Sequence, residues 1–190
     1  MNPASSLVCL AGVSGAGKDT LGGFLAKQYG FERVALADPI KAALMGLLQL
    51  DPTQLWGERR NEVDPRFGRA PRELYQRFGQ ACLELDPEVW LRPFRMRVEA
   101  IRRAGGRVVC TDLRTQAEWR AARELGATIW LIERPGAGAP GALSHHATER
   151  ELLGLDRSSF DAVLRNDGSP EALYLTVKRM LEGAVSAPAP

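Results

Sequence analysis

Histidine and cysteine are scarce: the chain of 190 residues has two of the first and three of the second. Cys9 and Cys110 fall in apolar strand-like runs and Cys82 in a helical one, without metal-ligand spacing. That excludes a disulfide framework or a zinc module as the organising device and marks them as small core residues in a reducing compartment. The adjacent His145 and His146 lack a spacing that turns both rings to one helical face, and no cysteine accompanies them, which argues against a metal site. Charge of one sign is also lacking: the net charge is +2, too small to signal nucleic-acid binding by bulk electrostatics, although local clusters can still hold phosphates. No apolar run is long enough to span a bilayer, and the opening "MNPASS" has neither the basic segment nor the apolar run of a signal peptide. The expectation is a soluble, cytoplasmic protein without a membrane partner.

What is present is enough apolar sequence for a core. With 45% hydrophobic and 25% charged residues, the chain reads as one globular domain over residues 1–190. Strand and helix patterns alternate, which favours an α/β domain with a mostly parallel sheet. Strands are expected at 7–12, 33–37, 107–111, 127–133 and 161–165. Helices are expected at 19–30, from Pro39 to about Leu50, at 70–85, over 86–106 interrupted or restarted near Pro93, over "QAEWRAARELG", and after "NDGSP". No repeat is visible, and a frayed tail is expected over about 183–190. Residues 51–69 and 134–159 break the alternation with proline, glycine and charge, as binding loops or lids do.

The stretch "GVSGAGKDT" follows the first strand and opens the first helix. Gly12, Gly17 and Lys18 satisfy G-x-x-x-x-G-K, the Walker A phosphate loop, with Gly15 inside it. Glycines let backbone N–H groups line a concavity for phosphate oxygens, and the helix N-terminus adds positive potential. Gly12, Val13, Ser14, Gly15, Ala16, Gly17, Lys18, Asp19 and Thr20 are therefore the expected ATP-phosphate site, with Lys18 reaching the β- and γ-phosphates. Asp19 stands where the usual pattern has the Ser or Thr that binds Mg²⁺. A carboxylate in a first helical turn is favoured by the macrodipole alone; its functional reading is an outer-shell anchor for hydrated Mg²⁺, with Thr20 near the phosphates.

Together with "ALADPIK", "ELYQRFGQ", "VWL", "VVCTDLR", "LGATIWLIERPG", "HHATE" and "NDGS", the loop resembles the phage deoxynucleoside monophosphate kinases from Leu7 to about Leu181. The resemblance implies a P-loop nucleotide-kinase fold: a five-stranded parallel sheet flanked by helices, with an acceptor-binding region at about 39–104 and a lid at about 134–159. "GKDT" is a variant within that family. For a phage-encoded chain, the compartment implied is the cytoplasm of the infected host.

Roles carried over position by position place Asp112, at the end of the third strand, on Mg²⁺ or the acceptor, with Arg114 beside it. Strand C-terminal ends are where parallel sheets build sites. Arg72 and Gln76, one helical turn apart, are read as sharing a face over an acceptor phosphate or base, with surface charge pairing as the rival reading. Trp90, His146, Thr148 and Glu149 join the acceptor set. Arg134, Arg150 and Arg157 are candidates to neutralise the transferred phosphoryl group, and Arg134 is taken forward as catalytic. Asn166 and Gly168 are assigned to the adenine pocket, while Ser169 and Pro170 also read as an N-cap and first helical residue.

The acceptor turns on Asp38 and Lys41. A nucleotide phosphate is already anionic and needs no base; an alcohol benefits from a carboxylate that accepts its proton. Asp38 is read either as that base or as the N-cap of the helix starting at Pro39, since the same Asp-Pro pair recurs at Asp51, Asp64 and Asp86. Arg59, Arg66, Arg69, Arg77, Arg92, Arg95, Arg97, Arg102, Arg103 and Arg107 suggest either a track for a polynucleotide backbone or a solvated face paired with interspersed glutamates. A related phage group phosphorylates the hydroxymethyl group of 5-hydroxymethyluracil in DNA, which favours DNA carrying a modified pyrimidine as acceptor and a flipped base as substrate. Free deoxynucleoside monophosphates follow closely, with dephospho-coenzyme-A-type acceptors behind. A non-catalytic nucleotide switch is the alternative from another class.

Overall fold

The structure, a computed structural model, describes residues 6–137, 151–152 and 154–183. Five strands form one sheet of strand order β2-β3-β1-β4-β5: β1 is Leu7–Ala11, β2 Phe31–Val34, β3 Arg107–Leu113, β4 Thr128–Glu133 and β5 Ala162–Arg165. Every pairing is parallel. β1 lies at the centre and is buried at all five positions, as a parallel strand covered on both faces must be.

The fold divides into two compact units, Met1–Ala35 with Arg97–Pro190, and Leu36–Met96. In the first, the alternation of side chains along the strands sends Val8, Leu10, Val109, Trp130, Ile132 and Leu164 to one face of the sheet. They pack there against Leu21 and Leu25 of α1 (Lys18–Tyr29) and Leu173 and Val177 of α7 (Pro170–Gly183). Phe24 stacks on Tyr174 with centroids 4.2 Å apart and seals the two helices. Each such buried side chain contributes about 1.5–3 kcal/mol. Cys9 and Cys110, paired in register, are fully buried free thiols, and Cys82 is half-buried. Burial pushes the Cys110 thiol well above its ordinary value, after the larger effect of its contact with Cys9.

α6 (Gln116–Glu124) is opened by a capping box: Glu118 N donates to the Thr115 hydroxyl while the Glu118 carboxylate accepts from Thr115 N. Its buried Ala121 and Ala122 let it lie close to its neighbours.

The second unit holds α2 (Asp38–Leu48), α3 (Pro52–Leu55), α4 (Pro71–Leu85) and the first turns of α5 (Leu91–Arg103). Leu44, Leu50 and Leu55 form its core, with Phe67, Leu74, Tyr75 and Phe78 packed around them. The expected loop over 51–69 has internal order. Asp51 caps α3 in a reciprocal box with Gln54, and its carboxyl is held below the ordinary value, chiefly by the Thr53 hydroxyl. Asp64, 5% exposed, accepts from Gln54 Nε2 at 2.8 Å and from Arg66 NH2 at 2.6 Å.

Three sequence expectations are corrected. β2 begins at Phe31 rather than 33, because it is an edge strand whose pairing with β3 starts at Phe31 opposite Arg107. The helix expected from 86 begins at Leu91, close to Pro93 as the restart reading has it: Pro93 is its third residue, where its missing N–H is one that the helix leaves unpaired anyway. Asp38 is not an N-cap. That position belongs to Ala37, no side chain caps the helix end, and Asp38 is the first helical residue.

Candidate active site

The loop between β1 and α1 has the backbone that its glycines demand. Gly12 has φ 141°, and a Cβ there would stand 2.5 Å from the Ile132 carbonyl oxygen. Gly17, the N-cap of α1, has φ 108°, and a Cβ would meet Asn166 Nδ2 at 2.5 Å. No side chain caps α1, so its first-turn N–H groups face outward with the positive end of the macrodipole, a ready anion site. Lys18 folds back over the loop, its Nζ donating to the Gly12 carbonyl at 2.6 Å and the Val13 carbonyl at 2.9 Å. Val13 packs on the core; Ser14 is half-buried and Gly15 exposed; Ala16 N closes a turn on Val13 O at 3.1 Å.

Asn166 braces this loop from beneath. It is 6% exposed, its Nδ2 donates to the Ala16 carbonyl at 2.8 Å, and its backbone N–H is bound to Glu133 O at 2.7 Å. The residue expected in an adenine pocket therefore has its side-chain N–H on the phosphate loop. Gly168 is exposed. Ser169 Oγ lies 3.4 Å from Ala172 N at the start of α7, as the capping reading of "NDGSP" expects.

Asp19 is tied to the end of β3. Its Oδ1 accepts from Arg33 NH2 at 2.9 Å and from the Thr111 hydroxyl at 3.2 Å, and its side chain stays 80% exposed. Thr20 is exposed beside it. Asp112 follows Thr111 and is half-buried, its Oδ1 accepting from Cys110 Sγ at 3.4 Å. The donors here are hard oxygens, carboxylate and hydroxyl, of the type that suits Mg²⁺ holding several of its waters. Among the described residues no three His, Cys, Asp or Glu side chains group closely enough to cage an ion. Asp19, Thr20 and Asp112 have the donor type that the ion takes, without forming such a group among the described residues.

Glu118, which the sequence did not single out, lies near Asp112. Its Oε2 accepts from Arg114 N at 2.6 Å and Thr115 N at 2.9 Å. Burial, and then the Asp112 charge, push its carboxyl up to about 7. Arg114 thus supplies a backbone donor to the α6 cap, with its side chain half-buried at the end of β3. Of the arginines expected in a lid, Arg157 is committed to Glu133, with contacts at 2.6 and 2.7 Å to the two carboxylate oxygens. Arg134 is exposed and makes no ion pair among the described residues. Arg150, His145, His146, Thr148 and Glu149 lie outside the described residues.

In the second unit, Asp38 Oδ1 accepts from the Trp56 indole N–H at 2.7 Å. Lys41 Nζ stands over the Trp56 ring at 5.6 Å and the Tyr75 ring at 5.4 Å from their centroids, within cation–π reach. Arg72 and Gln76 are both half-buried on α4. The Arg72 guanidinium has no ion pair among the described residues, although Arg69 and Arg77 on either side both bind Glu73. Trp90, expected on the acceptor, seats the start of α5 on α4. Its Nε1 donates to Gly79 O at 3.0 Å and its ring meets Phe78.

A five-stranded parallel sheet, a glycine loop at the C-terminal end of its central strand and a lysine over that loop define a P-loop kinase. The chain belongs to the deoxynucleotide monophosphate kinase family, whose sequence profile matches residues 70–177. None of the curated proteins compared matches it in sequence. Among solved structures it is similar in fold to the dephospho-CoA kinase of Campylobacter jejuni, at 12% identity and TM-score 0.52, over 94% of this chain and 98% of that one. A sugar kinase of Janibacter sp. HTCC2649 is similar at 18% identity and TM-score 0.51, over 97% and 99%. TT1252 of Thermus thermophilus matches at 21% identity and TM-score 0.50, over 93% and 96%. No helix among the described residues is long and apolar enough to cross a membrane.

Proposed function

We propose that this kinase transfers the γ-phosphoryl group of ATP to the 5′-phosphate of a free deoxynucleoside monophosphate. The observation that carries the acceptor is Arg72: a half-buried guanidinium without a counter-anion among the described residues, one helical turn from Gln76. A fixed fork of donors matches a phosphate bidentately, and a neighbouring amide can read a base edge. Lys18 and the loop N–H groups would hold the donor phosphates; Asp19, Thr20 and Asp112 are the residues that would hold a hydrated Mg²⁺, which would supply charge neutralisation.

Phosphorylation of the hydroxymethyl group of 5-hydroxymethyluracil in DNA is the second reading, and Asp38 favours it. A half-buried carboxylate at the start of α2 suits a proton acceptor for an alcohol. Charge pairing weighs the other way. Arg59, Arg66, Arg92, Arg95 and Arg97 are each bound to an Asp or Glu, and Arg107 lies over the Phe31 ring. A polyanion track needs cations free to release its counterions.

The test offers labelled ATP to duplex DNA containing 5-hydroxymethyluracil and, separately, to each deoxynucleoside monophosphate. Label in diphosphates, with an Arg72→Ala variant whose acceptor KM rises at least about 10-fold at unchanged ATP KM, is the expected result. Label only in DNA replaces the first reading with the second. ATP turnover at background with every acceptor restores the switch.

A further inference from the structure

We propose that Trp56 is a positioning residue for the acceptor side of the site, acting through Asp38 and Lys41; this rests on the acceptor reading of those two side chains given above. Trp56 reaches both from a different element. Its indole N–H is donated to Asp38 Oδ1 at 2.7 Å, and its ring carries Lys41 Nζ at 5.6 Å from the centroid. Tyr75 of α4 takes Lys41 from another side at 5.4 Å. One side chain therefore fixes the rotamer of an anion and that of a cation three positions apart on the first turn of α2.

The ring lies outside the two apolar clusters of the described residues. Trp56 is 41% exposed, whereas a tryptophan placed for stability alone buries its face. The segment beneath it is built to be stiff. Trp56 is the C-cap of α3, a four-residue helix locked at its other end by the Asp51–Gln54 capping box, and the same Gln54 donates to buried Asp64 at 2.8 Å. Gly57 follows, where a Cβ would stand 2.8 Å from Thr53 Cα, so the chain turns away tightly after the indole. A short rigid arm ending in a single hydrogen-bond donor is suited to hold a group whose placement sets a rate.

Trp56→Phe removes the N–H and keeps a ring for Lys41, so it isolates the bond to Asp38. The expected result is a loss of at least about 10-fold in kcat/KM for the acceptor, with ATP KM within about twofold of wild type and an unchanged far-UV spectrum. Asp38→Asn is measured beside it, together with the double variant. The double variant is expected to be no worse than Asp38→Asn alone, because both changes break one unit. Asp51→Ala, which loosens α3 without touching Asp38, is expected to give a smaller defect in the same parameter. It decides the matter if the Phe variant does not fold. Wild-type acceptor kinetics in Trp56→Phe beside an impaired Asp38→Asn overturns the positioning role and leaves the acceptor reading standing. A neutral Asp38→Asn overturns the positioning role and the hydroxymethyl reading, and leaves transfer to a nucleotide phosphate, which needs no base, standing. Defects that multiply in the double variant show Trp56 acting by another route and overturn the proposal.

Discussion

The side-chain amide of Asn166 donates to the carbonyl of Ala16 at 2.8 Å across 150 positions of sequence, which makes the strap after β5 a floor for the phosphate loop. Removing a buried donor leaves the Ala16 carbonyl unsatisfied, at about 1–3 kcal/mol. Asn166→Ala is therefore expected to raise the ATP KM by about 10-fold or more while acceptor KM changes little, read by steady-state kinetics with each substrate varied. Gly17→Ala attacks the same contact from the other side, since its Cβ would meet Asn166 Nδ2 at 2.5 Å from a backbone with φ 108°. Its ATP affinity is expected to fall further than that of Asn166→Ala, because strain and clash add.

Glu118 links stability to pH. Its carboxyl, ordinarily near 4.5, is raised to about 7 by burial and then by Asp112, so the folded state favours the proton. Its contribution is fully present below 4.5 and is lost as pH rises through about 7. Glu118→Gln keeps an oxygen for the Arg114 and Thr115 N–H groups and removes the buried charge. The variant is expected to be more stable than wild type above pH 7, by an amount of order 1 kcal/mol, and to show a flatter profile between those limits. Urea midpoints across pH give the comparison; a wild-type slope retained in the variant would falsify the assignment.

Asp64 has the opposite sign. Arg66 first, then its backbone N–H and Gln54, hold the Asp64 carboxyl well below the usual carboxylate range against the cost of burial. Its contribution is present above 3.8 and is lost as pH falls below that value. Asp64→Asn turns an acceptor into a donor facing Gln54 Nε2 and Arg66. The expected outcome is a lower urea midpoint at neutral pH and faster hydrogen exchange at the Arg66 amide, which donates to Asp64 at 3.0 Å, with the acid-induced loss between pH 3.8 and lower values reduced.

The four Asp-Pro pairs show where sequence stops being legible. Proline after aspartate fixes a turn or a helix start, but Asp51 is a true N-cap and Asp38 is one residue inside its helix. Asp64 is a buried anchor for an arginine. Asp86 closes α4 and accepts from Glu88 N at 2.9 Å, its carboxyl lowered mainly by Arg92. The dipeptide is local; which partner the carboxylate finds depends on residues up to 18 positions away, as with Trp56 and Asp38. The sheet and the phosphate loop were readable because apolar runs and glycine spacing are themselves local signals. β2 was misplaced because only its two end residues are buried. Trp56 and the bracing role of Asn166 have no local signal: each owes its role to a contact made by the fold. Glu118 carried one, the T-x-x-E spacing of a capping box with Thr115, but its nearness to Asp112 did not.

Arg134 and Arg157, both expected in a lid, differ in what they already hold. Arg157 gives its guanidinium to both oxygens of Glu133, a bidentate pair that neutralises it, and its side chain is 70% exposed. Arg134 follows β4 directly and has no such pair among the described residues. An arginine that stabilises the transferring phosphoryl group acts chiefly in the transition state, so its loss falls on kcat and leaves ground-state binding nearly intact. Arg134→Ala is expected to lower kcat by about 10²–10³-fold with less than about threefold change in either KM. Arg157→Ala is expected to stay within about threefold of wild type in all parameters, its exposed pair contributing about 0–1 kcal/mol to stability. Equal loss in both variants would mean that Arg157 leaves Glu133 during turnover; loss in Arg157→Ala alone would transfer the catalytic role to it.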